Sequence, residues 1–415
     1  MNIYARFINI SLRVATLVSR FMFVFFLARY LEPSALGVYG LFTATVGYAL
    51  YFVGLDFYTY TTRELLKTPK SSWGGFLKDQ ALLSSVLYLV LILSLLICSS
   101  LKVITVEQSV WFFVILSMEH VNQEISRLLI TINKQTFASL LLFVRQGLWA
   151  IIVVTVMIIF PSSRDINSIY ICWALSGILT FICGFIKLKD IEMGGWTNKF
   201  DTKWVKAGIK TSGVFLIATL SLRGMQTADR YWIQSMNGLD VVGAYVLFIG
   251  MTSALMAFLD AGVFSYSYPT LIKLHNEGDE KNFTRHLVKM TIITFIFIAL
   301  FIVVSAVAMP WLLSWTGKTL FFNYIIIYKW LMVATVLNAL GMIPHYALYA
   351  KNKDKPIIYS HVMCIFVFVA STAIISKWNS VTAVPIGLTI AFFFVFIWKA
   401  FACYNLRRHE NFPQY

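Results

Sequence analysis

The chain has 415 residues, of which 59% are hydrophobic and only 13% are charged, and its mean hydropathy is +0.75. A soluble domain carries about 25% charged residues, so a soluble core of this size cannot bury the apolar excess. These values exclude a soluble enzyme, a nucleic-acid-binding protein and a disordered chain. The net charge of +15 does not indicate nucleic acid, because the basic residues lie in short segments between apolar stretches.

Apolar stretches long enough to cross a membrane occur twelve times along the chain. A transmembrane helix needs about 20 mainly apolar residues. The predicted spans are 8–28, 36–57, 77–99, 110–132, 137–160, 169–186, 208–233, 241–272, 290–313, 321–349, 357–375 and 381–404. Ionisable groups interrupt the fourth span, and the eighth and tenth are long enough to be tilted or kinked. The first span is too long for a cleaved signal peptide.

The basic residues divide unequally between the two sides of the predicted membrane. With the loops numbered alternately, 24 Lys and Arg residues fall in the first set, including Arg6, Lys399, Arg407 and Arg408, and 5 fall in the second. Loops rich in Lys and Arg stay in the cytoplasm. We therefore expect both termini to be cytoplasmic.

The two halves of the chain begin with similar motifs. LGVYGLF at residues 36–42 resembles VGAYVLF at residues 242–248, so Gly37 matches Gly243 at an offset of 206 residues. A charged segment at 187–210 separates six spans from six. An even number of spans in each half predicts a parallel repeat. We expect two six-helix lobes, residues 1–200 with a cytoplasmic linker and residues 201–415, although two similar loop-to-helix junctions could also arise by chance.

Ten charged residues and one histidine of the predicted spans are candidates for a function. A charge at a helix centre costs about 2.5–3.5 kcal/mol on insertion scales, so most of these groups should face a cavity or one another. The basic residues are Arg20, Arg145, Arg223, Arg230 and Lys329, and the titratable ones are Asp56, Glu119, His120, Glu124, Asp229 and Asp260. The basic set is the candidate substrate-binding surface, and the second set holds the candidates for proton or ion coupling.

Depth along the spans distinguishes the arginines. Arg20 and Arg223 lie near mid-membrane in the first helix of each half, where a cavity role is favoured over a structural ion pair. We expect them to face each other across a central cavity. Arg230 lies near the outer end of its helix, where it can snorkel to the interface.

The fourth span is the most polar. His120, Glu124 and Arg127 follow the i, i+4, i+7 spacing of one helix stripe. Two interpretations remain open: a local Glu124–Arg127 pair, or a stripe that faces Arg145 and carries protons, since His and desolvated carboxylates can titrate near neutral pH.

Two aspartates lie where a span ends or bends. Asp260, followed by Ala-Gly, indicates either an unwound or kinked site or a packing polar group. Asp56 either caps a turn or pairs with a neighbouring helix. His345, beside Pro344, is expected to be an interfacial histidine near a kink.

Motifs of soluble catalysis are missing from the sequence. It contains no P-loop, no GxSxG and no HExxH, and its five cysteines include no CxxC pair. We therefore expect no enzyme activity, no metal and no cofactor.

Three segments resemble polysaccharide transporters of the multidrug/oligosaccharidyl-lipid/polysaccharide (MOP) superfamily. They are SRFMFVFFLARYLEPSALGVYGLF with GLDFYTYTTREL, then TADRYWIQSMNGLDVVGAYVLF, and then Tyr268–Pro269 before a charged loop. They are most similar to the Wzx-type O-antigen flippases. The resemblance implies an all-α, MATE-like fold of two six-helix lobes and alternating access in the bacterial inner membrane.

The same resemblance implies a cargo of undecaprenyl-diphosphate-linked oligosaccharide. Arg suits diphosphate oxygens because its planar guanidinium forms paired hydrogen bonds. Membrane lipids, and the polymerase and chain-length machinery that use the same cargo, are the expected partners, with no nucleic acid. The alternatives are a flippase for a capsule, teichuronic or peptidoglycan precursor, a multidrug antiporter of the same fold, and a membrane-embedded polysaccharide polymerase.

Overall fold

A computed structural model describes residues 3–411, and every regular element in this range is a helix. Residues 1–2 and 412–415 lie outside the described part, as do the side chains of Arg6, Arg407 and Arg408, which the charge count includes. The α-helices of the described part are α1 Ile3–Tyr30, α2 Pro33–Gly54, α3 Tyr58–Lys67, α4 Trp73–Ser100, α5 Val106–Thr131, α6 Gln135–Phe143, α7 Trp149–Ile159, α8 Ile166–Lys189, α9 Thr202–Asn237, α10 Leu239–Leu259, α11 Ser265–Asn276, α12 Glu280–Thr316, α13 Thr319–Asn323, α14 Ile325–Ala350, α15 Asp354–Ile375 and α16 Ser380–Asn411.

The helices confirm a multi-pass, all-α membrane protein. Within the described range, ten helices are long and apolar enough to cross a membrane. The two segments Thr202–Gly213 and Leu216–Asn237 meet at a bend, and together they count as an eleventh span if they cross as one. Helix α5, the fourth predicted span, has 26 residues, and at about 1.5 Å per residue it is also long enough to cross. The charged residues of α5 explain why a hydropathy criterion does not select it as a membrane span. With α5 counted, the total agrees with the predicted twelve spans.

Two of the predicted spans contain a π-helical turn. The fifth consists of α6, a π-turn at Val144–Leu148 and α7, and the eighth consists of α10, a π-turn at Asp260–Phe264 and α11. Such turns widen the helix by one residue and occur often at functional sites. The irregularity expected at Asp260 is therefore present.

A short helix that the sequence analysis did not predict follows α2. Leu55 and Asp56 both adopt φ of 49°, and the Asp56 carbonyl oxygen accepts a 2.9 Å hydrogen bond from the Thr59 hydroxyl. The chain then continues as α3, which buries Thr61 and Leu65. Asp56 lies in the turn through its backbone, and no side-chain cap is present at the start of α3, so the choice between a capping and a pairing role for its carboxylate stays open.

The chain packs as two compact units. The N-terminal unit comprises Met1–Phe23 and Phe42–Leu220, and the C-terminal unit comprises Val24–Leu41 and Ser221–Tyr415. In the N-terminal unit, α5 packs on α8, and in the C-terminal unit α16 packs on both α14 and α15.

Gly37 and Gly243, the glycines shared by the two motifs, each pack closely against the backbone just before the other motif, within the C-terminal unit. A Cβ atom at Gly37 would overlap the carbonyl oxygen of Leu239, and a Cβ atom at Gly243 would overlap that of Pro33. Leu239 and Pro33 are themselves 206 residues apart, the offset that relates the two motifs. The contact is therefore reciprocal, as expected for two copies of one structural repeat, and it requires glycine on both sides.

Candidate functional site: charged groups of the membrane helices

Each unit exposes one of the two deep arginines. Arg20 of α1 and Arg223 of α9 are both exposed. The Arg20 guanidinium donates a 3.0 Å hydrogen bond to the side-chain oxygen of Gln146, and that of Arg223 donates one of 3.3 Å to Gln226. A glutamine amide is neutral and accepts through its oxygen, so these two hydrogen bonds orient each guanidinium.

Arg145 is buried and lies beside a carboxylate. It is 5% exposed, its Nε lies 3.7 Å from Oε2 of Glu119, and one of its NH groups donates to the Glu119 carbonyl. The other carboxylate oxygen of Glu119 accepts a 2.8 Å hydrogen bond from the Trp173 indole, whose ring stacks on Trp149 at 5.4 Å. The residue of α5 that meets Arg145 is therefore Glu119, not the stripe of His120 and Glu124.

The carboxylate of Glu124 is bound locally. It forms an ion pair with Arg127, one turn along α5, and accepts a 2.8 Å hydrogen bond from Gln80 of α4. The Arg127 guanidinium also lies over the Tyr58 ring at 3.4 Å. Of the two interpretations of the stripe, the local pair is the one observed.

His120 is buried next to this pair. It is 5% exposed, and its ring lies 5.7 Å from that of Tyr88. Within the described part of the chain, its Nε2 has no hydrogen-bond partner. A buried nitrogen without a partner is costly, which keeps His120 a candidate for binding a proton or a water.

The Asp229 carboxylate interacts with Arg230, the next residue in the chain, and with Tyr245 of the VGAYVLF motif. It is 1% exposed and accepts a 2.6 Å hydrogen bond from the hydroxyl of Tyr245. Its other oxygen lies 3.0 Å from a guanidinium nitrogen of Arg230. This explains why an Asp-Arg pair in α9 accompanies the tyrosine of the motif in α10.

The remaining candidates lie apart from these pairs. Asp260 is exposed on the π-turn between α10 and α11, and Lys329 is exposed near the start of α14. Asp260 is close enough to Tyr346 of α14 for the two groups to interact electrostatically.

One charged cluster was missed. The charge count grouped Lys399 with the cytoplasmic loops although it falls within the last predicted span, and the structure places it in α16, 2% exposed, between His345 and His361. Its apolar neighbours in FIWKAF were the available signal. The partners could not be found from spacing because they lie on two other helices.

No group of three or more His, Cys, Asp or Glu side chains that could hold a metal ion occurs in the part of the chain that is described. The five cysteines are free thiols.

Comparisons of the sequence find no relative, whereas comparisons of the structure find proteins with a similar fold. No protein-family profile matches the chain, and no curated protein matches it significantly. An inward-facing MATE family transporter of the MOP superfamily superposes with a TM-score of 0.76 at 13% identity, covering 96% of this chain and 99% of that one. An outward-facing one gives 0.61 at 15% identity, covering 97% and 94%.

A third structure extends the likeness. A MOP superfamily transporter from Pyrococcus furiosus, described as having a binding pocket of reverse polarity that suggests a different function, gives a TM-score of 0.60 at 14% identity, covering 97% of this chain and 95% of that one. Identities this low establish the fold alone. The chain has the same fold as these MATE family and MOP superfamily transporters, as the sequence resemblance implied.

Proposed function

We propose that the protein is a flippase that moves an undecaprenyl-diphosphate-linked oligosaccharide, the O-antigen repeat unit, across the bacterial inner membrane by alternating access. The main support for this proposal is that Arg20 and Arg223, in the first long helix of each half, are both exposed. A charge at this depth is expensive unless it faces a polar path. Each guanidinium presents the planar donors that suit a diphosphate.

The surroundings of the other arginines support this assignment. Arg145 lies beside Glu119, and Arg230 beside Asp229. A carboxylate already offsets the charge of these two, so they serve packing more than anion binding. Lys329, exposed on α14, adds a further cation to the proposed path. The polymerase and chain-length machinery are the proposed partners that receive the cargo.

A multidrug antiporter is the second candidate, and the exposed carboxylate of Asp260 favours it, because acidic groups suit organic cations. The fold itself does not choose between the two cargoes. The transporter from Pyrococcus furiosus, described with a pocket of reverse polarity, supports the view that this fold accommodates more than one kind of pocket.

The test replaces the two arginines in a strain that depends on this protein for surface polysaccharide. Arg20→Ala and Arg223→Ala should abolish surface glycan while membrane levels stay normal, and Lys at either position should restore it only in part, because Lys lacks the planar donor pair. Arg63→Ala and Arg285→Ala, at exposed positions of α3 and α12, are the matched controls. Normal glycan in both Arg20→Ala and Arg223→Ala, together with lost resistance to organic cations in Asp260→Asn, would favour the antiporter.

Proton or ion coupling is a separate part of the proposal. Glu119, Glu124 and Asp229 are held by hydrogen bonds and ion pairs, and Asp56 belongs to a turn. His120 and Asp260 are the stronger candidates. His120→Gln and Asp260→Asn should uncouple export from the proton gradient at normal expression, and an unchanged gradient dependence in both variants would make these residues structural.

A further inference from the structure

The last three long helices of the C-terminal unit bring three basic side chains together inside the protein. The Nζ of Lys399 on α16 lies 3.0 Å from Nε2 of His361 on α15 and 3.3 Å from Nδ1 of His345 on α14. The two imidazole rings lie within 14° of parallel, with centroids 6.0 Å apart. The lysine head group therefore lies between two rings, one from each neighbouring helix.

The chemistry of these three nitrogens limits how many protons they hold. A charged lysine can only donate, so both facing histidine nitrogens must then be neutral acceptors. If a histidine carries the proton instead, it donates to a neutral lysine amine. A second proton would place two cations within 3.3 Å of each other, where little water screens the repulsion.

The neighbouring groups do not neutralise the cluster. No ion pair between Lys399 and a carboxylate occurs in the described part of the chain. The titratable neighbours are the buried thiol of Cys364 on α15, which interacts electrostatically with Lys399, and Tyr346 of α14, whose ring lies 5.4 Å from that of His345. The net charge of the cluster therefore changes when its shared proton is gained or lost.

Two tyrosine rings lie near the cluster, on the side of α11 and the π-turn. Tyr346 stacks on Tyr268 of α11 at 5.6 Å and interacts electrostatically with Asp260. Asp260 is exposed on the π-turn.

We propose that Lys399, His345 and His361 form a binding site for one exchangeable proton, and that its gain and loss change the packing of α14, α15 and α16 during transport. The proton forms an N–H bond on one of the three nitrogens and is later released to water, with no other covalent bond made or broken. The coupling to transport rests on the proposed function, whereas the proton site does not.

The first experiment counts the proton directly. The full chain contains six histidines, so ring-¹⁵N labelling of the purified protein in lipid nanodiscs gives a small set of signals. We expect the signals of His345 and His361 to change together over one pH interval in the wild type and separately in Lys399→Met. His286→Gln, a half-buried histidine of α12, is the matched control and should leave both signals unchanged. Signals of both histidines that stay constant from acidic to alkaline pH would overturn the proposal.

The second experiment measures coupling in cells. A proton ionophore should cause a loss of glycan export in the wild type and in His286→Gln. In Lys399→Met and His361→Gln the ionophore should have no such effect. Normal, ionophore-sensitive export in both variants would overturn the inference and leave the flippase assignment standing. A shared titration in a protein that exports no glycan would support the proton site and remove the assigned cargo.

Discussion

The opposite charges of Glu119 and Arg145 offset each other inside the N-terminal unit, and either charge buried there without the other would be strongly destabilising. Removing one partner of a buried ion pair costs about 3–5 kcal/mol, because the other charge remains buried without compensation. Arg145→Met should therefore lower the thermal unfolding midpoint in detergent strongly. The double variant Arg145→Met with Glu119→Gln should recover much of the loss.

The solvent-accessible pair between Lys187, in the last turn of α8, and Asp190, the residue that follows α8, is the matched control for this prediction. Surface pairs contribute about 0–1 kcal/mol, so Lys187→Met should change the midpoint little. Equal midpoints for Arg145→Met and the double variant would show that the two buried charges are not coupled.

The hydroxyl of Tyr245 stabilises the buried Asp229. Hydrogen bonds to a charged group contribute about 1.5–3 kcal/mol, so Tyr245→Phe should lower the unfolding midpoint by a corresponding amount. Tyr349→Phe, at an exposed position of α14, should not. The midpoints can be followed by tryptophan fluorescence, and a Tyr245→Phe midpoint equal to that of wild type would remove the hydroxyl's assigned role.

At the scale of elements, the reciprocal glycine contact between α2 and α10 makes a graded prediction within one helix. Gly37→Ala places a methyl group against the Leu239 carbonyl, whereas Gly47→Ala, nearly three turns later in α2, meets open space. Gly47→Ala should be neutral or stabilising, since Ala has the higher helix propensity. Gly37→Ala should be strongly destabilising, and a thermal unfolding series of the two would contradict the close contact if both behaved alike.

Helix α5 shows why the presence of a helix was easier to predict from the sequence than the contacts that its side chains make. Its length and ends follow from local sequence: Thr105 and Gln108 form a capping box at its start. Whether Glu119 or His120 faces Arg145 depends on how α5 is rotated about its own axis relative to the π-turn that carries Arg145, because these two neighbours in sequence point about 100° apart. The sequence alone could not settle that rotation.

At the scale of the whole molecule, the distribution of loop charges predicts the topology. A reporter active only in the cytoplasm should be active when fused after Leu188 or Lys353 and silent near Arg164 or Lys377. The positive-inside rule is the physical basis, since Lys and Arg resist translocation. Activity of the reporter near Arg164 would contradict both the orientation and the twelve-span count.

The sequence by itself determined that the chain is an all-α membrane protein with repeated motifs at its two halves. Hydropathy and charge are summed along the chain, so these properties need no knowledge of packing. Only the tertiary structure decided which charges are paired: it placed Arg145 beside Glu119, left Arg20 exposed beside a glutamine, and buried Lys399 between histidines of two other helices. Partner choice depends on helix rotation and contact over long sequence separations, and no local pattern records either.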